Sequence, residues 1–299
     1  MSAGGVAIEP GSPEWLRVIT PSKVAAILGV SRWESPYRLW HRMKGLVDPE
    51  PPADRFDVGH AMEFALAELW RIQHPGWQLS PRPVQLHRQL AGFDTLATLD
   101  RRARRGKWRR CVEFKTARRW EEWGDFGSDE APADYIAQTQ WQMHVTGYTD
   151  EPAQLLVMGP YFAHHTYEIP YDRELCEAIE ERCRVFHASL ASDTPPPLDD
   201  SVATYECVRA LHPNIDDTVV VGLDPELAAD FLIADRAHKA AEKTLRGLKS
   251  RVLDAMGDAA TATAFELPVA ARRRGRGSAV ALYPDTKTDP LQLKELITV

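Results

Sequence analysis

The sequence predicts an α/β fold: a central mixed β-sheet flanked by helices, extended at the C-terminus by a long helix and a hairpin. Three observations predict it. Apolar residues recur at three- and four-residue steps in 56–73 and again in 174–190, the period of helices with one buried face. Between those helices, residues 84–116 hold three strand-like segments set off by Gly92 and Gly106. After the turn-rich Ser192–Asp200, apolar residues from Leu227 to Ala255 alternate steps of four and three, the seam of a coiled coil.

Taken in order, residues 1–19 read as a loose arm. Ser22 reads as the N-cap of a helix over Lys23–Leu28 that ends at Gly29. Pro36 opens a second helix through Tyr37, Leu39, Trp40 and Met43, stopped by Gly45. A Pro-rich spacer, Asp48–Ala53, precedes a helix over Phe56–Gln73, whose buried stripe is expected to be Met62, Ala65, Leu66, Leu69 and Ile72. Strands Val84–Leu90, Phe93–Arg104 and Trp108–Thr116 follow, then a polar loop and a helix opened by Pro132. Gln154–Met158 and His165–Ile169 return as strands, and Glu174–Leu190 closes this part as a helix. Asp224 caps the long helix, with Pro225 in its first turn and Gly257 beyond Met256. Ala264–Ala270 and Ala279–Tyr283 read as a hairpin. These readings divide the chain into a core over 1–195, a linker over 196–223 and an extension over 224–299.

Hydrophobic residues make up 44% of the 299, enough to bury a sizeable core, and mean hydropathy is −0.36. No run of about 18 apolar residues is present. Residues 1–15 lack a basic segment followed by an apolar one. A cytoplasmic protein without a membrane span is therefore expected. Cys111, Cys176, Cys183 and Cys207 form no CxxC pair and are expected to be buried thiols. A net charge of −7 excludes a uniformly basic nucleic-acid coat. Positive charge is nonetheless clustered, in Arg101, Arg102, Arg104, Arg105, Lys107, Arg109 and Arg110, and again in Arg272, Arg273, Arg274 and Arg276. Phosphate is the obvious anionic partner for such runs, although a solvated charged face accounts for them too.

The chemistry concentrates in two strand segments, Thr98-Leu99-Asp100 and Val112-Glu113-Phe114-Lys115. Side chains alternate along a strand, so Thr98 shares a face with Asp100, and Glu113 with Lys115. Paired as a hairpin, the strands would bring Asp100, Glu113 and Lys115 to one patch. Two carboxylates suit Mg²⁺, which prefers oxygen ligands, and a lysine beside them can orient a water and offset charge on a phosphate. An ordinary charged hairpin face fits this spacing equally well. Glu63 lies at the edge of the stripe of its helix, either reaching solvent or kept for a metal. Arg32 and Ser35 offer a guanidinium, a hydroxyl and free amides at a helix N-terminus, a seat for phosphate or a plain helical connection. Tyr135, Gln138 and Gln142 share one face of the helix that follows.

With these pieces placed, the chain resembles the YqaJ-type viral recombinase nucleases, the lambda-exonuclease-like branch of the PD-(D/E)xK superfamily. The resemblance covers about residues 20–190 and rests on four stretches: Ser22 to Trp40, Gly59-His60-Ala61-Met62-Glu63, Thr98-Leu99-Asp100 with Val112-Glu113-Phe114-Lys115-Thr116, and Tyr135 to Gly147. It implies a restriction-endonuclease-like core and Mg²⁺-dependent digestion of DNA, with Mn²⁺ able to substitute. On it, Asp100, Glu113, Glu63 and the Phe114 carbonyl match metal ligands, Lys115 the motif lysine and Gln138 the motif glutamine. Arg32 and Ser35 match the loop that takes a terminal 5′-phosphate, and Thr98, Arg104, Arg105 and Gln142 are expected to contact DNA. The proline usual before the aspartate is replaced by Thr98-Leu99. The function implied is a 5′-to-3′ exonuclease on linear duplex DNA, acting as a ring-shaped homotrimer beside a single-strand annealing protein in phage-type recombination. A sequence-specific endonuclease on the same core, or an inert DNA-binding or assembly protein, stands as the alternative.

Overall fold

The structure, a computed structural model, describes residues 8–9, 11–48, 54–90, 92–125, 128, 130–275 and 280–298, with 54–56 described in backbone only. Residues 1–7 and 10 of the N-terminal arm, nearly all of the Pro-rich spacer, Arg276 and residue 279 of the expected hairpin lie outside them. The chain forms two units, 1–215 and 216–299.

In the first unit the helices are α1 (Pro13–Arg17), α2 (Pro21–Ile27), α3 (Pro36–Met43), α4 (Asp54–Gln73), α5 (Ala133–Thr146), α6 (Arg173–Ser189) and α7 (Val202–Leu211). The strands are β1 (Gln78–Leu79), β2 (Val84–Leu90), β3 (Phe93–Leu99), β4 (Arg101–Arg105), β5 (Trp108–Thr116), β6 (Ala153–Met158) and β7 (His164–Ile169). A five-stranded sheet runs β1-β4-β5-β6-β7, with β2-β3 a separate antiparallel pair. Within the five-stranded sheet β5 and β6 run parallel, in register Glu113 with Leu155 and Lys115 with Val157, and its other neighbours run antiparallel, so this sheet is mixed.

The meander expected from 84 to 116 is interrupted at Asp100. One strand was expected from Phe93 to Arg104; instead β3 pairs along its whole length with β2, while β4 pairs with β1 and β5. The chain changes sheets at this residue, and the Asp100 carboxylate accepts the Phe114 N–H at 2.8 Å. Packing then sorts the faces. Leu66, Ala67 and Trp70 of α4 cover one face of the sheet, against Ala103, Val112, Phe114 and Leu156. The other face packs Cys111, Leu155, Val157 and Tyr167 against Met143 of α5 and Trp123. The buried stripe of α4 is thus Leu66, Ala67 and Trp70, whereas Ala65 and Ile72 are exposed, Ile72 at 71%. An indole large enough to fill the gap, with its Nε1 donating to Gln154 at 2.8 Å, turns the helix away from the stripe expected.

Two connections differ from expectation. Residues 13–19 are tied down: Lys23 Nζ donates to the carbonyls of Trp15, Leu16 and Val18 at the end of α1, at 2.5 to 3.1 Å. Helix α2 is accordingly opened by Thr20 and Pro21 rather than by Ser22. Residues 202–211 form α7 instead of linker, burying Ala203, Thr204 and Cys207. The Thr204 hydroxyl bonds that of Ser35 at 2.8 Å. All four cysteines are free and buried.

The second unit holds α8 (Pro225–Met256), an antiparallel sheet of β8 (Thr261–Ala264), β9 (Leu267–Arg274) and β10 (Val280–Pro284) in order β10-β9-β8, and α9 (Pro290–Thr298) where only a tail was expected. Asp224 caps α8 by accepting from the N–H groups of Glu226 and Leu227. Among the described residues, no helix is long and apolar enough to cross a membrane.

Candidate active site

Glu113 is the centre of the constellation because β5 carries it into the sheet interior and α5 closes over it. Burying a carboxylate is costly unless its oxygens are paired, and here three donors meet them. Oε1 accepts from Lys115 Nζ and from Gln138 Nε2, both at 2.5 Å. Oε2 accepts from Gln142 Nε2 at 2.7 Å. Gln138 and Gln142 lie one helical turn apart, so both amides reach the same carboxylate from one side. Gln142 Nε2 also donates to the Thr98 carbonyl at 3.1 Å, linking β3 to β5. Its Oε1 is buried with no hydrogen-bond partner. Gln142 therefore positions Glu113 here rather than facing DNA, and Thr98 takes part through its carbonyl.

Asp100 stands at the sheet change, one residue before the pair Arg101 and Val112 in the β4–β5 register. Burial, reinforced by the charge of Glu113, raises its carboxyl well above the ordinary 3.8, with Lys115 opposing. Burial would lower the Lys115 ammonium, but Glu113 and Asp100 outweigh it and hold the lysine above its ordinary value. In the metal-free chain the two carboxylates therefore favour the charged form of Lys115. The ring of Tyr135 lies 5.3 Å from its Nζ. Glu63, half-buried on α4, is raised by burial, His60 opposing and Glu113 adding to the rise.

Asp100 and Glu113 offer only oxygen, with Asp100 holding one N–H of the roughly four sites a carboxylate provides. Buried Glu113 and partly buried Asp100, crowding each other's charge, make a donor set that fits Mg²⁺, which keeps several waters and takes one or two protein carboxylates. Mn²⁺ shares that oxygen preference. Among the described residues no three His, Cys, Asp or Glu side chains gather closely enough to hold an ion. Glu63 is therefore near the pair but not drawn into a three-carboxylate cage, because α4 packs on the sheet face opposite α5.

Arg32 is brought close to this centre. Its Nε donates to Asp134 at 3.0 Å, Nη1 pairs with Glu122, and the guanidinium lies 5.1 Å from the Tyr135 ring centre, the ring that also faces Lys115. Ser35 is not available to a ligand: it is 2% exposed, and its hydroxyl caps α3 through Arg38 N–H while contacting Thr204. Arg104 and Arg105 are exposed on the β4–β5 turn, Arg105 over the Trp77 ring. Arg110, from the same run, is instead buried against Glu151 and Glu168.

Arg101, Glu122 and Asp134 were not singled out by the sequence. Arg101 looked like one more member of a basic run, yet it is buried, donating to the Asp100 carbonyl at 2.5 Å with the Phe64 and Phe114 rings 5.8 and 5.9 Å away. Its place at the first position of β4 became meaningful only with the break at Asp100. Asp134 carried one usable signal, an acid in the first turn of α5.

Residues 14–149 match the model of the YqaJ-like viral recombinase domain. The chain is also 25% identical over 264 residues to the uncharacterized protein YqaJ of Bacillus subtilis (strain 168), covering 84% of this chain and 80% of that one. Among solved structures it is similar to an alkaline exonuclease of Laribacter hongkongensis, at 18% identity over 60% of this chain and 90% of that one, TM-score 0.43. The same exonuclease in complex with dAMP gives 19% identity, 60% and 91% coverage and a TM-score of 0.44.

Proposed function

We propose that this chain, with its YqaJ-like recombinase domain, is a metal-dependent deoxyribonuclease that digests linear duplex DNA from its ends. The observation that carries the reading is the cluster of Asp100, Glu113 and Lys115, with Gln138 and Gln142 holding Glu113 in place. Buried charge held this tightly is expensive as packing and useful as preorganised electrostatics. The resemblance extends the proposal to 5′-to-3′ polarity, to a homotrimer, and to single-stranded tails handed to an annealing protein.

Asp100, Glu113 and the Phe114 carbonyl would hold Mg²⁺, with Glu63 beside them. The ion, when bound, supplies Lewis-acid charge at the phosphate oxygens and a more acidic bound water. The remaining work belongs to the chain. Lys115 orients the attacking water and offsets negative charge developing on the phosphate. Gln138 and Gln142 keep the Glu113 oxygens from rotating away. Arg32, oriented by Asp134 and Glu122, presents its guanidinium beside Lys115 as a contact for a terminal phosphate. Arg104 and Arg105 serve as sequence-independent phosphate contacts.

The test is purified protein with Mg²⁺ on linear and on closed-circular duplex DNA, repeated with EDTA. Loss of linear DNA alone, abolished by the chelator, supports the reading. Cutting of the circle would make the chain an endonuclease, and inertness on both would leave a DNA-binding protein.

A further inference from the structure

The β6–β7 connection presents two aromatic rings to water on unfavourable backbone. Tyr161 is 99% exposed and Phe162 81%. Their φ angles are +58° and +62°, in the left-handed region where glycine and asparagine are the usual occupants. The turn is closed by Ala163 N–H donating to the Pro160 carbonyl at 3.2 Å and Gly159 N–H to the Ala163 carbonyl at 2.7 Å. Two residues with positive φ at the centre of such a hairpin turn are ordinarily Asn-Gly or Asp-Gly. Strain accepted at a specific place, with no burial gained from it, points to a use for the side chains.

The turn is mounted on the catalytic centre. Residue β6 Met158 pairs with Thr116, so the turn leaves the sheet beside the strand end that bears Lys115. Lys115 pairs with Val157, so four residues of about 3.3 Å each plus one strand spacing of about 4.8 Å put Tyr161 no farther than about 18 Å from Lys115, Cα to Cα. That is about five stacked nucleotides. A packed series of rings fixes the placement. Gly159 lies on Trp120, where a Cβ would stand 2.3 Å from the indole. Trp120 meets Trp123 edge-on at 6.3 Å, and Trp123 stacks on Tyr135 at 5.4 Å, the ring facing Lys115. Arg118, exposed on the loop between β5 and Trp120, adds positive charge suited to a phosphodiester backbone, beside Arg119, which is paired with Glu122 at 3.2 Å.

We propose that Tyr161 and Phe162 form a stacking subsite for the unpaired bases of a DNA strand at the active site. The inference rests on the nuclease reading above and extends it to single-stranded substrate or product. Rings on a rigid turn stack with any base, because every base has a π-face. A partner protein would favour side chains that pack as well when aliphatic, which separates the two occupants by experiment.

The test measures binding of single-stranded oligonucleotides carrying 2-aminopurine to the full-length protein in EDTA, so that no cleavage intervenes. The double variants Tyr161→Ala with Phe162→Ala, and Tyr161→Leu with Phe162→Leu, should both bind about tenfold or more weakly and lose the base-stacking quench. The exchange Tyr161→Phe with Phe162→Tyr should bind as the wild type does. Circular dichroism checks that each variant folds. Wild-type affinity in the alanine variant, or in the leucine variant, overturns the proposal. A changed mass by light scattering with an unchanged quench also overturns it, assigning the rings to contact between copies. Because the binding is read without turnover, a wild-type protein that digests no DNA would refute the nuclease reading without deciding this one.

Discussion

Helices α5 and α8 invert each other. Nine of the 14 residues of α5 are buried, among them Thr139, Gln140 and Gln142. Of the 32 residues of α8 only Met256 is buried, while Leu227, Phe231, Leu245 and Leu248 are exposed. One helix hides polar groups and the other displays apolar ones, each against the ordinary preference. In α5 the reversal has a local reason: Gln142 and Gln138 satisfy Glu113, and Gln140 donates to the Pro170 carbonyl while accepting from Asp172 N–H. Helix α8 carries no such internal network. Its exposed side-chain pairs, Lys239 with Asp235 and Arg246 with Glu242, are of the kind that contributes a few tenths of a kcal/mol. Polar groups buried around a carboxylate that they satisfy mark chemistry, even where Gln142 Oε1 and the Thr139 hydroxyl are left unpaired, and exposure of apolar groups marks surface awaiting contact.

The sharpest way to break the comparison is at its centre. Glu113→Gln or Asp100→Asn should lower digestion of linear DNA by about 10³-fold or more with folding intact, and Lys115→Ala by about 10²- to 10³-fold. Near-normal initial rates from any of them would leave the buried network a structural device only. Next in size, Met143→Ala, beneath the sheet in α5, should cost about 2–5 kcal/mol in denaturant unfolding. Gln142→Leu should lower activity about 10- to 100-fold, as loss of a ligand's supporting hydrogen bond does elsewhere. Its apparent metal affinity, read by calorimetry, should fall with the rate; an unchanged affinity would detach Gln142 from the site.

A smaller effect has the opposite sign. Asp100 ionises with more difficulty folded than unfolded, so above 3.8 the metal-free folded chain binds more protons than the unfolded one. Stability attributable to this group is then present at acid pH and lost as pH rises through its folded value. Asp100→Asn should remove that slope and raise metal-free stability at neutral pH by about 1 kcal/mol. Thermal melts of both proteins in EDTA across the acid range check it; parallel curves would mean the carboxylates do not strain one another. Smallest of all, Leu248→Ala in α8 should change stability by less than about 0.5 kcal/mol. A cost several times larger would mean that this face is covered in solution.

What could be read in advance divides along the same line. The strand chemistry was legible because alternation alone puts Glu113 and Lys115 on one face, and three- and four-residue steps put Gln138 and Gln142 on another. The roles were less legible. Gln142 looked like a DNA contact and is a support for Glu113; Ser35 looked like a phosphate ligand and is a buried cap. Composition cannot separate these, since the same donor serves a ligand or a neighbour according to what stands within 3 Å.

By itself the sequence determined the alternation of helices and strands, the positions of the two carboxylates and the lysine, and the length of α8 with its Asp224 cap. Those are properties of local period and capping chemistry. Tertiary structure alone decided that the chain changes sheets at Asp100, that α4 turns Trp70 inward and Ile72 outward, and that Arg101 is buried while Arg104 and Arg105 are not. Each depends on which surface arrives from a distant part of the chain. Burial energy is set by that meeting, and the residues within one helix or strand do not encode it.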